Sequence, residues 1–277
     1  MLTNCKLPIA IATAILLAGC DSGNAPESAK EATDSETIVI SGRAADGYLV
    51  DAKVCADLNA SNRCDESEPS TTTGEGGKFM LALTPEEANA NIVVEAIAGE
   101  TVDEDSNEPV KSDFRLKAPI DMSRDEQFVS PITTMVLDVM EQNDLSLEQA
   151  VEQVSKDLQT SADPLQNYIT AKSSGNEEDA QAAERLHRIA QLRASISGVL
   201  DAYVRNSGTA LEEVDASVSN ILSMMTPQLL EVADASLDSE IPSDAFHADA
   251  VVHAMLGTFG ATPAQPVPAE EDSAQPE

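Results

Sequence analysis

The spacing of apolar positions changes near residue 120. Before it, short apolar runs at 38–40, 50–58, 79–83, 92–97 and 114–116 are separated by clusters of Gly, Asn, Pro and Asp, which predicts strands of a small antiparallel β-sandwich over 38–120. Gly74-Glu75-Gly76-Gly77, just before Phe79, is a strong turn signal. Beyond 120 the period becomes helical. Ser130-Pro131 reads as an N-cap with proline at the first helical position, ahead of Ile132, Met135, Val136, Val139 and Met140. Ser146 and Gln149 form a capping-box pattern in front of Leu147, Ala150, Val151, Val154 and Leu158. Asp163-Pro164 opens a third, short helix by the same logic. The longest helix is expected over 177–206, with Leu186, Ile189, Ile196, Leu200 and Tyr203 on one stripe and Gly208 as its stop. Leu211, Val214, Val218, Ile221 and Leu222 make a further helix, and Thr226-Pro227 and Ser243 start two more, the last with Phe246, Val251, Met255 and Phe259. The fold class that follows is α+β in two domains, an N-terminal antiparallel β-sandwich (38–120) followed by an all-α helical bundle (121–261).

The two ends lack such patterns. Residues 20–37 hold no large apolar side chain and read as a disordered tether, and 262–277, with four prolines and four acids, as a disordered tail. The first nineteen residues are different: Lys6 precedes an apolar run at 7–18 that is short for a membrane span and ends in small residues, the pattern of a signal peptide.

Charge narrows the function classes. The 277 residues carry 49 acids against 16 Lys and Arg, a formal charge of −33. So acidic a surface excludes a nucleic-acid partner, which needs a basic face to displace counterions from phosphate. It also repels anionic lipid headgroups and suits a salty medium, where excess charge is screened. With 3% aromatic residues, the core must be built mainly of Ala, Val, Leu and Ile.

One segment carries specific chemistry. Counting Asp57 as position 1, oxygen-bearing side chains fall at 3 (Asn59), 5 (Ser61), 9 (Asp65) and 12 (Glu68), with the carbonyl of Arg63 at position 7. That is the ligand spacing of an EF-hand calcium loop, because calcium takes six to eight hard oxygens and a looped chain presents alternate residues inward. Position 6 needs a positive φ, and Asn62 tolerates that conformation best after glycine. The flanks are not helical: 50–58 alternates like a strand, and Pro69 follows the loop directly. A second acidic run, Asp103-Glu104-Asp105-Ser106-Asn107, starts like another such loop, but Phe114 would stand at its position 12, so a solvated turn is expected there.

Two resemblances add to this reading. Leu17-Ala18-Gly19-Cys20 resembles the bacterial lipobox, which implies acylation of Cys20, a membrane anchored through lipid, and a cell-envelope location. Asp21 resembles the inner-membrane retention signal of enteric lipoproteins, implying the periplasmic face of that membrane, with the outer membrane as the alternative. Gly42, Ala52-Lys53-Val54-Cys55, Asp57-Leu58-Asn59, Cys64-Asp65, Glu68-Pro69, Thr71-Thr72-Thr73 and Gly77-Lys78-Phe79 together resemble carboxypeptidase-regulatory-like and collagen-adhesin B-type sandwiches. That resemblance implies a seven-strand-like sandwich, some relatives of which hold calcium in an interstrand loop; Ser61 and Asn62 depart from the commoner residues.

Cysteine usage agrees with export. Cys5 leaves with the signal and Cys20 is lipidated, so Cys55 and Cys64 remain as an even pair flanking one loop, expected as a disulfide in an oxidising compartment. Elsewhere no nucleophile elbow, Walker loop or dinucleotide fingerprint occurs. His187, His247 and His253 are spaced as surface or half-buried residues, and Met224-Met225 as part of a helical core. The expectation is a non-enzymatic, calcium-stabilised envelope protein whose helical domain docks to an envelope protein partner in a structural, adhesive or accessory role. The alternative is a small-ligand-binding protein or hydrolase with its site in the helical domain or at the domain junction.

Overall fold

The computed structural model describes residues 37–173, 175–208, 210–239, 241 and 246–258. The expected signal peptide, Cys20, the expected tether up to residue 36 and the expected tail at 262–277 lie outside the described residues.

The architecture is mixed α+β, strands first and helices second. Strands β1 (Ile38–Ala44), β5 (Lys78–Leu83) and β10 (Gln127–Val129) form one sheet in the order β10-β1-β5. Strands β3 (Lys53–Asp57), β4 (Ser70–Thr72), β6 (Asn91–Ala96) and β9 (Phe114–Pro119) form the other, in the order β4-β3-β6-β9 and antiparallel throughout. A small third sheet joins β2 (Leu49–Val50), β7 (Val102–Asp103) and β8 (Glu108–Pro109).

Period-two patterning builds the apolar layer between the sheets. In β5, Phe79, Leu81 and Leu83 are buried while Lys78, Met80 and Ala82 are exposed. Opposite them lie Val54, Ala56, Ile92, Val94, Leu116 and Ala118, with Ile40 from β1. One prediction needs correcting: the sandwich is not purely antiparallel, since β10 pairs with β1 in parallel, Gly42 against Gln127. It also continues past residue 120, because β10 comes after the point where helix was expected. Three residues are too few to show a period, so the sequence offered no strand signal there.

The helices are α1 (Pro131–Asn143), α2 (Leu147–Asp157), α3 (Tyr168–Ala171), α4 (Glu177–Asn206), α5 (Leu211–Asp238) and α6 (Ala248–Thr258). Ser130 caps α1: its Oγ accepts the N–H of Ile132 and Thr133, while its own N–H donates to Thr133 Oγ1. Ser146 and Gln149 make the same reciprocal bonds at α2. The third helix starts later than Asp163-Pro164. Those residues form a turn in which Asp163 Oδ1 accepts the N–H of Leu165, and Asn167 provides the cap by accepting from Ile169 and Thr170. Pro227 does not begin a new helix either; α5 runs through it. Its ring removes one backbone donor. Neighbouring carbonyls receive hydroxyl donors, Thr226 Oγ1 to Leu222 O and Ser223 Oγ to Ser219 O. Val218, Leu222, Leu229 and Ala233 keep a buried stripe on both sides of the proline. Residues 242–245, including the expected start at Ser243, lie outside the described residues. Tyr203 and Met224, expected in the helical core, are exposed at 68% and 71%, while Met225 is partly buried against that core.

The helices lie directly on the four-stranded sheet. Strand β9 turns Phe114, Leu116 and Ala118 into the sandwich and Arg115 and Lys117 toward the helices. Lys117 Nζ pairs with Asp138 of α1 at 2.9 Å, and Arg115 pairs with Asp201 of α4 at 2.8 Å and with Asp215 of α5. Asp138 also accepts from Ser219 Oγ at 2.7 Å, so one carboxylate joins β9, α1 and α5. Close approach is enforced at Gly198, where a Cβ would sit 2.7 Å from Ser112 Cβ. In the same interface Ala194 of α4 belongs to the sandwich core, and Ala45 and Phe128 of the strand half belong to the helical one.

Breaking a buried pair costs more than the pair contributes, because the survivor stays charged and dry. Lys117→Met should therefore destabilise the full chain by about 3–5 kcal/mol, measured by denaturant titration. Adding Asp138→Leu should recover most of the loss, and a loss that the double variant fails to recover would show that Lys117 acts through packing alone.

Candidate functional site

The loop between β3 and β4 brings all six predicted ligand positions into one turn. Asp57 and Glu68 are buried, at 7% and 6% exposure. Asp57 Oδ1 accepts the N–H of Ser61 at 3.0 Å and Oδ2 that of Asn62 at 2.9 Å, which curls the chain around the first carboxylate. Asn62 has φ 58°, the left-handed conformation expected at position 6, and Ala60 has φ 56°. Asn59 Nδ2 and Ser61 Oγ both donate to Asp65 Oδ2, at 2.7 and 3.2 Å. Ser61 Oγ also lies 3.4 Å from the carbonyl of Arg63. Glu68 closes the loop: Oε1 accepts the N–H of Leu58 at 2.8 Å and Oε2 that of Asp65 at 3.0 Å. The donor set is hard oxygen throughout, which suits calcium, and a carboxylate oxygen keeps lone-pair capacity beyond one accepted N–H. Among the described residues, however, no three acidic, His or Cys side chains are grouped to hold a metal ion as they stand.

The loop is tied at its base. Cys55 and Cys64 form the expected disulfide, with Cα atoms 5.5 Å apart, and pack on Val93 of β6. Lys53 Nζ donates to the carbonyl of Cys64 at 2.8 Å, and the N–H of Cys64 donates to Glu95 at 3.3 Å.

A second cluster was not legible beforehand. The run Asp103–Asn107 is a turn with Glu104, Ser106 and Asn107 exposed, as expected, but Asp103 and Asp105 pack beneath the turn Asp46-Gly47, and Asp105 also against α4. Gly47 has no room for a side chain, since a Cβ would lie 2.0 Å from Asp103 Oδ1 and 2.8 Å from Asp105 Cγ. His187, expected at or near the surface, is fully buried. Its Nε2 is 2.8 Å from Asp105 Oδ2, and its Nδ1 is 2.8 Å from Lys172 Nζ. Tyr168 stacks on His187 with centroids 5.1 Å apart and donates to the carbonyls of Ala45 and Asp46. Gln191 donates to Asp105 at 2.9 Å. No fixed spacing links residues 46, 103–105 and 187, which explains why the pattern was invisible.

The electrostatics of this cluster are uneven. Burial, then the charges of Asp103 and Asp105, hold the Asp46 carboxyl well above the usual carboxylate range, and its Oδ1 is shielded from water without a partner. Burial also raises Asp103. Asp105 goes the other way: burial pushes it up, but the hydrogen bond and charge of His187, with Lys172, bring it below its ordinary value.

Compared with protein-family models, with curated proteins and with solved structures, the chain matches none.

Two outcomes follow. Folding raises the affinity of Asp46 and Asp103 for protons, so their contribution to stability is present below about pH 4, where unfolded carboxylates are protonated, and is lost as pH rises toward their folded values. Asp46→Asn should therefore raise the melting temperature by several degrees at pH 7–8 and change it little at pH 4. Equal effects at both pH values would contradict this assignment. Replacing both Cys55 and Cys64 by Ala should cost about 2–3 kcal/mol on the chain-entropy account, read by denaturant unfolding.

Proposed function

We propose that this protein is a lipid-anchored component of the cell envelope, non-enzymatic, with a calcium-stabilised strand half and a helical half that docks to an envelope partner. The observation that carries the calcium part is the turn from Asp57 to Glu68, tied by the Cys55–Cys64 disulfide, with Asn62 in the left-handed region and Asp57 holding the N–H groups of Ser61 and Asn62. The ion would draw Asp57, Asp65 and Glu68 together, with Asn59, Ser61 and the Arg63 carbonyl completing an oxygen set. Calcium supplies positive charge that offsets the repulsion among three carboxylates; Glu68 would have to share its oxygens between the ion and the N–H groups of Leu58 and Asp65. The sandwich reading, as a relative of carboxypeptidase-regulatory-like and collagen-adhesin B-type modules, and the separation into two domains near residue 120 belong to the same proposal.

Anchoring rests on the sequence Leu17-Ala18-Gly19-Cys20, with Asp21 favouring the inner membrane. Among the described residues no helix is long and apolar enough to cross a membrane. The docking part is supported by an open cleft of about 690 Å³ between α1, α2 and α5, whose apolar walls are Met135, Val139, Leu145 and Pro227. The alternative, a small-ligand-binding protein or hydrolase, would use perturbed carboxylates and a histidine in a pocket. Asp46, Asp103, Asp105 and His187 do come together, but they line neither this cleft nor the smaller cavity beside β9, and the interaction reading is preferred.

Three measurements test these parts separately. Millimolar calcium should raise the melting temperature of the full chain and release titration heat, and Glu68→Ala should abolish the rise; no heat at that concentration would end the calcium reading. Palmitate labelling of cells should mark the protein, with the label lost in Cys20→Ser. A photo-crosslinker placed at Asn143, on the rim of the cleft, should capture an envelope protein that one placed at Met80 does not.

A further inference from the structure

The small sheet β2-β7-β8 is fastened to the helices by polar groups. Tyr168 donates its hydroxyl to the carbonyls of Ala45 and Asp46, and Asn167 Nδ2 donates to Tyr48 Oη at 3.0 Å. Asp105, in the turn between β7 and β8, reaches His187 and Gln191 of α4 at 2.8 and 2.9 Å. Just past β8, Lys111 pairs with Asp249 of α6 at 3.2 Å. Apolar support is thin: β7 and β8 are two residues each, and Glu104, Ser106, Asn107, Glu108 and Pro109 are exposed. A segment with few buried apolar contacts opens locally at far lower cost than the whole fold.

Inside this seam the carboxylates of Asp46, Asp103 and Asp105 crowd together around Gly47. Asp46 Oδ1 is shut off from water and has no donor. Against them stand the ammonium of Lys172, which also lies 3.6 Å from Glu184, and the imidazole of His187. Two more groups face Asp46: the Tyr168 phenol of α3, and the Asp249 carboxylate of α6, which accepts from Ser195 Oγ besides pairing with Lys111. Next to the turn, Arg43 lies over the Tyr48 ring and pairs with Glu126. Burial, together with neighbouring carboxylates, keeps Asp46 and Asp103 above the ordinary range, so they gain charge at pH values where exposed acids are already ionised. Neutral, they fit a dry seam; ionised, they repel one another and Asp105 and favour water.

We propose that this seam is a pH-operated latch: turn 46–47 and the β7–β8 hairpin rest against α3 and α4 at acidic pH and swing away as pH rises. The opening is local, and so distinct from a loss of overall stability. Lifting the turn exposes Tyr168, which is fully buried in the helical core and edge-on to Phe128 with ring centroids 4.9 Å apart. An apolar floor thereby becomes accessible in a pH-dependent way. The latch depends on neither calcium nor a lipid anchor.

Amide hydrogen exchange of the full-length chain tests the latch, expressed as protection factors so that the pH dependence of the chemical exchange rate cancels. The reporters are the amides of Glu104, Asn107 and Val110, which donate to the carbonyls of Tyr48, Asp103 and Thr101. Strand β6, in the middle of the four-stranded sheet, is the reference. Between pH 5 and pH 8 protection in the hairpin should fall about tenfold or more, the factor carried by one pKa unit of linkage, while β6 changes less than about twofold. Asp46→Asn, close to isosteric, should remove the fall, and Asp103→Asn should shrink it. Asp125→Asn, at an exposed acid outside the seam, should leave it intact. Equal hairpin protection at both pH values, a loss of the same size in β6, or a fall that Asp46→Asn retains in full overturns the proposal.

Discussion

The two-faced strand β9 is the constraint on which the rest depends. Phe114, Leu116 and Ala118 fill the sandwich, and the alternate residues Arg115 and Lys117 hold three helices through Asp138, Asp201 and Asp215. In a chain so poor in cations, these two are placed where water is excluded and attraction is strongest. The arrangement carries a desolvation cost, offset in part by second donors, Ser219 at Asp138 and Arg205 at Asp201. A sheet face presenting positive charge to helices that present negative charge also fixes which helix lies where, since an apolar interface would tolerate sliding.

The remaining acids divide by environment. Most face solvent, where screening makes them inexpensive. In the loop 57–68, backbone N–H groups and short polar side chains receive the carboxylates. In the cluster under Gly47 the carboxylates crowd one another, and only Asp105, with His187 and Lys172 beside it, is relieved. The contrast shows how one residue type stabilises a turn where donors are supplied and strains a junction where they are scarce.

Legibility in the sequence followed the range of the interaction. Caps at Ser130 and Ser146, the helix over 177–206, the period of β5 and the pair Cys55–Cys64 are set by neighbours a few residues apart, and each was predictable. So was the left-handed Asn62, because the loop spacing demanded it. What escaped was decided at a distance. Strand β10 exists because β1 offers an edge, Pro227 stays helical because α5 is packed on both sides of it, and His187 is buried by a turn whose residues carry no matching periodicity. Ligand spacing likewise marked out the turn 57–68 but could not foresee that both oxygens of Glu68 would be engaged by N–H groups.

The parallel pairing of β1 with β10 bears on how the chain acquires its fold. Strand β1 is the first element in the described chain, yet one of its two neighbours, Gln127–Val129, follows every other strand and runs straight into the cap of α1. Such a long-range closure is slow relative to hairpins and helical turns. A chain emerging from its N-terminus can pair β1 with β5 and β3 with β6 early. Its first sheet then keeps an open edge until the residues around Ser130 arrive. The step that closes the sheet and the step that starts the helices are therefore one event, and until it happens the edge of β1 is the surface most exposed to mispairing.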